Sequence, residues 1–205
     1  LELLPSKHVG VFPVQSTHWK WLEEKIKKET EGGRKISVLN LFGYTGGASL
    51  ACARAGAEVC HIDSSQFAVD LANKNMKLSG LEDKKIRFIL DDVRKFIERE
   101  KKRGKKYYIV LMDPPVYGKG TKKEVWKIEE DLSALLSRVK NLLSKEPLAV
   151  VLNGYASVYS STTYAELLKA VTSDLGGEVS SGELTIKESK GDRLLTAGIF
   201  ARWSK

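Results

Sequence analysis

Four short stretches carry residue types that could do chemistry, and each follows an apolar run. The first is "NLFGYTGG", in which Asn40, Phe42, Gly43, Tyr44, Thr45, Gly46 and Gly47 precede a small-residue segment. Glycines let backbone approach a ligand closely, and a helix starting there favours negative charge. The second is Asp63 with Ser64, twenty residues after Gly43, where a carboxylate can accept both hydroxyls of a ribose. The third is Asp91-Asp92, followed by Val93. The fourth is "MDPPVYGKG", with Asp113, Pro114, Pro115 and Tyr117. Prolines cannot continue a central strand and restrict the residue before them, so they pin Asp113 where its apolar run ends. A carboxylate and the rigid Pro114 carbonyl can accept hydrogen bonds from an amine and hold its lone pair toward a reacting carbon. Tyr117 could stack on a base, a contact worth roughly 1–3 kcal/mol, or serve only in packing.

The surrounding pattern alternates. Helical spacing covers 19–29, 47–57, 65–80, 92–104, 124–143 and 163–175, and short apolar strands cover 35–42, 58–63, 85–90, 107–113 and 147–153. Two further strand-like runs, "EVSSGELTI" and "LLTAGIFARW", follow without a helix between them. Such alternation predicts one α/β domain over 1–205, with a helical segment over 1–34 and a Rossmann-like core over 35–205. The core is a mostly parallel sheet with helices on both faces and an antiparallel hairpin at one edge.

Ligands of such sheets sit beyond the carboxyl ends of the strands, which is where all four stretches fall. A nicotinamide dinucleotide site needs G-x-G-x-x-G; this loop reads G-Y-T-G-G and lacks the paired glycines. Acids after the third and fourth strands suit a ligand with adenosine at one end and a zwitterionic amino acid at the other, which is S-adenosylmethionine. Plainer roles stand beside these. Gly46 and Gly47 could permit close helix packing, Asp63 and Asp92 could be helix N-caps, and Asp91 could be structural. Asn153 could complete an acceptor pocket or cap the next segment, and Trp19, Trp21 and Trp126 fit a core better than a base platform.

The chain carries a net charge of +8, compatible with a polyanion such as RNA. Its densest basic run, Lys101, Lys102, Arg103, Lys105 and Lys106, is a candidate phosphate contact or a solvated turn. No apolar run approaches the ~18 residues of a membrane span, and no signal peptide is visible, so a cytoplasmic protein is expected. The three histidines lack ligand spacing and no metal is expected. The two cysteines, Cys52 and Cys60, fall in a helical and a strand pattern. Neither stands where the fourth or fifth strand ends, so a C5-pyrimidine methylation, which needs a thiolate nucleophile, is not expected. The first residue is Leu1, which fits a fragment of a longer chain.

The run "VLNLFGYTGGASLACARAGA…HIDSS…DDVRKFI…MDPPVYGKG" resembles the class I S-adenosylmethionine-dependent methyltransferases, in particular the branch of bacterial 23S rRNA large-subunit methyltransferases. The likeness extends to "HVGVFPVQSTHWKWL" and "SGELTIKES…ARW". It implies a seven-stranded sheet with an antiparallel last strand. It also implies that 40–47 wraps the methionine part of the cofactor, Asp63 binds the ribose, and Asp92 and Val93 lie at the adenine. Asp113 and Pro114 would then lie beside the transferable methyl, and Gln15, with Phe12, near the cofactor. Val14 stands where that branch usually has an acid. Relatives carry an N-terminal RNA-binding module. The activity implied is methyl transfer to RNA, at a base nitrogen of rRNA; a small-molecule or protein methyltransferase, or a non-catalytic cofactor-binding protein, are the alternatives.

Overall fold

The computed structural model describes residues 10–120, 124–155 and 158–205. Strands β1 (Ser37–Leu41), β2 (Glu58–Asp63), β3 (Ile86–Leu90), β4 (Ile109–Met112) and β7 (Ala149–Gly154) run parallel. The closing hairpin is β8 (Glu178–Lys187) and β9 (Leu194–Ser204). Strand β9 inserts antiparallel beside β7, giving seven strands in the order β3-β2-β1-β4-β7-β9-β8. The expected fold class is the observed one.

Side chains alternate across a strand, and here both faces are covered. Val38 and Ile109 face α1 (Ser16–Glu31) and α2 (Gly47–Arg54), packing with Leu22, Ile26, Cys52 and Ala53. Their neighbours Leu39 and Val110 face the other side. They pack with Phe96 of α4 (Val93–Lys102), Leu132 and Leu136 of α5 (Ile128–Lys140), and Tyr164 and Leu168 of α6 (Ser161–Thr172). Burial on both faces is why the strands read as unbroken apolar runs. Helix α3 (Gln66–Leu78) is capped by Ser65, whose hydroxyl accepts from the Ala68 amide. No helix among the described residues is long and apolar enough to cross a membrane.

One prediction fails. The helical pattern over 124–143 begins instead as a strand, β6 (Val125–Lys127), which pairs antiparallel with β5 (Tyr117–Lys119) before α5 starts at Ile128. Val125 and Trp126 favour extended backbone, and pairing with the segment after the two prolines decides the outcome. Residues 121–123, between β5 and β6 in the sequence, lie outside the described set.

Candidate active site at the carboxyl edge of the sheet

Strand β1 delivers the chain into the glycine loop through two left-handed residues, Phe42 (φ 58°) and Tyr44 (φ 48°). Non-glycine residues adopt such angles at a cost and cluster at functional sites. Asp63, at the end of β2, holds this turn: its carboxylate accepts from the amides of Tyr44 (2.8 Å) and Ser65 (2.9 Å). Burial pushes this carboxyl above the ordinary range, against the pull of those amides. Asp63 is therefore not the cap of α3; it is the strut of the loop, with lone pairs remaining for a ribose.

The loop rests on a buried polar chain that the sequence reading missed. Asn40 donates from Nδ2 to Ser49 Oγ (2.9 Å), which lies 3.0 Å from His61 Nδ1. Burial depresses the His61 imidazole to about 4, so it is neutral at physiological pH. Its ring lies directly under Gly43, where an added Cβ would come within 2.4 Å of it. Likewise a Cβ at Gly46 (φ 91°) would stand 3.1 Å from Ala72 Cβ, and one at Gly47 2.6 Å from the Trp19 ring. The packing role weighed for these glycines is thus real. Thr45 is pinned too, with Oγ1 donating to Gly10 O (2.5 Å) and its carbonyl accepting from Asn75 (2.9 Å). A histidine inside the apolar strand "EVCHID" was the available signal.

Asp113 leaves β4 and meets Gln15, which ends a 3₁₀ turn over Pro13–Gln15. Gln15 Nε2 donates to Asp113 Oδ2 (2.6 Å) and to the Tyr155 hydroxyl (3.0 Å). Oδ1 of Asp113 is buried and has no partner among the described residues. Burial raises its carboxyl to about 7, with the Gln15 bond opposing. Burial, with Asp113 nearby, also pushes the Tyr155 phenol up. The cavity that Asp113 lines is closed by Phe12, Gln15, Asn40, Phe42, Tyr44 and Thr45. Phe12 stacks at a tilt between Tyr44 (5.8 Å) and Tyr155 (5.2 Å). Val14 is buried in the core.

A second small space joins Ser64, Asp92 and Val93 to Phe42, Pro115 and the β5–β6 hairpin. Here Asp92 is the N-cap of α4, accepting from the amide of Arg94, and its carboxylate is gripped by the Arg94 guanidinium (2.9 Å). Arg94 also reaches Asp131 and the Val125 carbonyl, each at 3.0 Å. Asp91 pairs with Arg99, the structural role weighed for it. Trp126 is core, as expected, and also donates to the Pro115 carbonyl (2.7 Å) while packing on Phe42 (5.0 Å). One indole therefore locks the proline loop to the glycine loop. Tyr117 stands on the outer face of the hairpin, 54% exposed, beside Lys127 in register. Asn153 is buried at the end of β7, with Oδ1 unpartnered among the described residues.

The sequence profile of the family described as S-adenosylmethionine-dependent methyltransferase matches residues 5–157. The chain belongs to that family. Ribosomal RNA large subunit methyltransferase I of Klebsiella pneumoniae is 40% identical over 81 residues, 39% of this chain and 20% of that protein. The same-named enzyme of Aeromonas salmonicida is 37% identical over 95 residues, 46% and 23% of the two chains. The matched stretch thus spans about a fifth of the length of these curated relatives. A solved S-adenosylmethionine-dependent methyltransferase from Agrobacterium tumefaciens superposes with a TM-score of 0.92 at 43% identity, over 97% of this chain and 64% of that one. Magnesium protoporphyrin IX methyltransferase from Synechocystis PCC 6803, solved with bound S-adenosylmethionine, shares the fold alone, with a TM-score of 0.57 at 18% identity.

The methyltransferase cofactor fits what is here. A cationic sulfonium ligand suits a cavity lined by a carboxylate oxygen that has no partner among the described residues, and Asp63 stands where β2 meets the loop. The cysteines offer no rival chemistry. Both are buried, and burial pushes the Cys52 thiol to about 12 and the Cys60 thiol to about 11, so neither supplies a thiolate.

Proposed function

We propose that this methyltransferase acts on RNA, on a base nitrogen of rRNA, without a cysteine nucleophile. The observation that carries the reading is Asp113: rigid between a strand and two prolines, clamped by Gln15, with one buried oxygen unpartnered. S-adenosylmethionine supplies a methyl group on a positively charged sulfur, held by residues 40–47, Asp63, Ser64 and, at the adenine, Asp92 and Val93. Asp92 keeps its carboxylate on Arg94, so that end offers shape and backbone more than charge.

Asp113 accepts a hydrogen bond from an amine of the target base and orients its lone pair. The Pro114 carbonyl, fixed by its ring, is the second acceptor. A carboxyl raised to about 7 is matched to taking up the proton that the nitrogen sheds once it is methylated. Tyr117, exposed beside Lys127 on the β5–β6 hairpin, is the residue on which a base would stack. The net charge of +8 and the names of the curated relatives support RNA as the polyanion.

The test is incubation with methyl-tritiated S-adenosylmethionine and undermethylated bacterial RNA, with half the product digested by ribonuclease. Acid-precipitable counts lost on digestion, resolving to an N-methylated nucleoside, are the expected result. Cofactor binding without counts in RNA, or a C-methylated nucleoside, would overturn the reading.

A further inference from the structure

Where the parallel strands begin, at the edge opposite Asp113, residues 35, 58, 82–87 and 100–106 hold nine lysines and arginines and four acids. That is an excess of five, in a chain whose whole net charge is +8. Lys84, Lys85, Arg87, Lys105 and Lys106 line one cavity of about 450 Å³, over Tyr107. These residues come from two separate chain turns, so the sheet assembles a basic face that the run 101–106 only hints at.

The face is built on a buried anion. Glu100 is fully buried, accepts from the Tyr107 hydroxyl (2.6 Å), and takes Arg103 at 2.9 Å and Arg87 at 3.7 Å. One cation would neutralise it; two guanidiniums converge on it, and both remain about half exposed. An arginine anchored from behind presents its remaining N–H donors in a fixed fork, the geometry that suits phosphate. One surface acid at this edge, Glu58, is held below the usual carboxylate range by its bond to Lys85, with Lys35 and Lys105 adding to the field. Lys106 is likewise fixed, donating to the Asn141 carbonyl (2.7 Å).

We propose that this face is a second RNA-docking surface, which holds the phosphate backbone of a structured segment away from the methylated nucleotide. The inference rests on the RNA reading above. Seven residues of extended chain separate Lys106 from Asp113, on the order of 20 Å. The phosphates held here therefore flank the target at a distance, and the face sets affinity without touching the chemistry.

The test compares the 205-residue chain with its Arg87→Ala/Lys105→Ala/Lys106→Ala variant on a fluorescent RNA stem-loop across a salt series. With each phosphate contact adding about 0.9 to the salt slope, the slope falls by roughly 2–3 and affinity at low salt by about tenfold or more. Arg87→Lys alone, which keeps charge and loses the fork, gives a smaller loss. Cofactor affinity is unchanged, which certifies the fold, and KM for RNA rises while kcat holds. If the unsubstituted chain methylates RNA and the variant matches it in slope and KM, the face is not a docking surface. If that chain methylates no RNA yet the slope still falls, the docking surface stands and the RNA-methylation reading goes. Loss of binding to anionic lipid vesicles, with RNA binding untouched, would also overturn the proposal.

Discussion

The two edges of one sheet are built to opposite rules. At the carboxyl edge the charged groups that line the site are acids, spent on backbone amides or single partners: Asp63 on Tyr44 and Ser65, Asp92 on Arg94, Asp113 on Gln15. At the amino edge cations outnumber acids, and the lysines and Arg87 stand around an open cavity. Strain is concentrated in the first region, in Phe42 and Tyr44. On the two readings proposed above, burial, not charge count, separates a place where bonds would be made from a place where a large partner would be held. A carboxylate out of water can be tuned and aimed; an exposed cation adds to a field.

The comparison breaks most sharply at Asp113. Asp113→Ala should lower transfer by about 10²–10³-fold or more, the scale seen when one preorganised polar group is removed, while cofactor affinity changes less than about tenfold. Asp63→Ala should do the reverse, costing affinity first, measured by calorimetry beside single-turnover rates. Equal activity of Asp113→Ala and the unsubstituted chain would remove the chemistry from this edge altogether.

Stability against pH sharpens it next. The Asp113 carboxyl lies at about 7 in the fold against an ordinary 3.8. Below about pH 4 both folded and unfolded chains hold the proton, so there is no difference. Between 4 and 7 the unfolded chain ionises while the folded one does not, and Asp113 progressively subtracts stability. Asp113→Asn should therefore be neutral at low pH and gain up to a few kcal/mol by pH 8 without cofactor, read by denaturant titration. A gain of the same size at pH 4 would show that burial is not the cause. The exposed cations of the other edge, neutralised singly, should show no such pH signature.

A smaller effect tests the loop's support. Gly43→Ala drives a Cβ into the His61 ring and should cost roughly 1–3 kcal/mol. His61→Ala beside it should return part of that loss, as a coupling in a double-mutant cycle. Strict additivity would mean that the ring does not hold the loop.

Most of the architecture was legible because a doubly covered sheet leaves unbroken apolar runs, and because Ser65, Gly46 and the prolines punctuate them. The β5–β6 hairpin was not, since Val125-Trp126-Lys127 runs in phase with the helix that follows. At the site, each acid could be placed at a strand end, because parallel strands all deliver their last residues to one edge. What the acids touch was illegible. The Asn40–Ser49–His61 chain and Tyr155 sharing the Gln15 amide are contacts between separate elements, and Arg94, only two residues from Asp92, claims it through a side-chain orientation; no local period announces any of them. Trp126 was rightly read as core, yet its indole N–H, fixing Pro115, follows from the hairpin that periodicity hid.

The Gln15 amide has a consequence in time. It joins residues 98 and 140 positions further along the chain. At translation rates of about 5–20 residues per second, roughly 7–28 s pass between the making of Gln15 and that of Tyr155. Through that interval a growing chain can form its glycine loop yet has no finished clamp around Asp113, so this carboxylate is set in place only after the fifth parallel strand has been made.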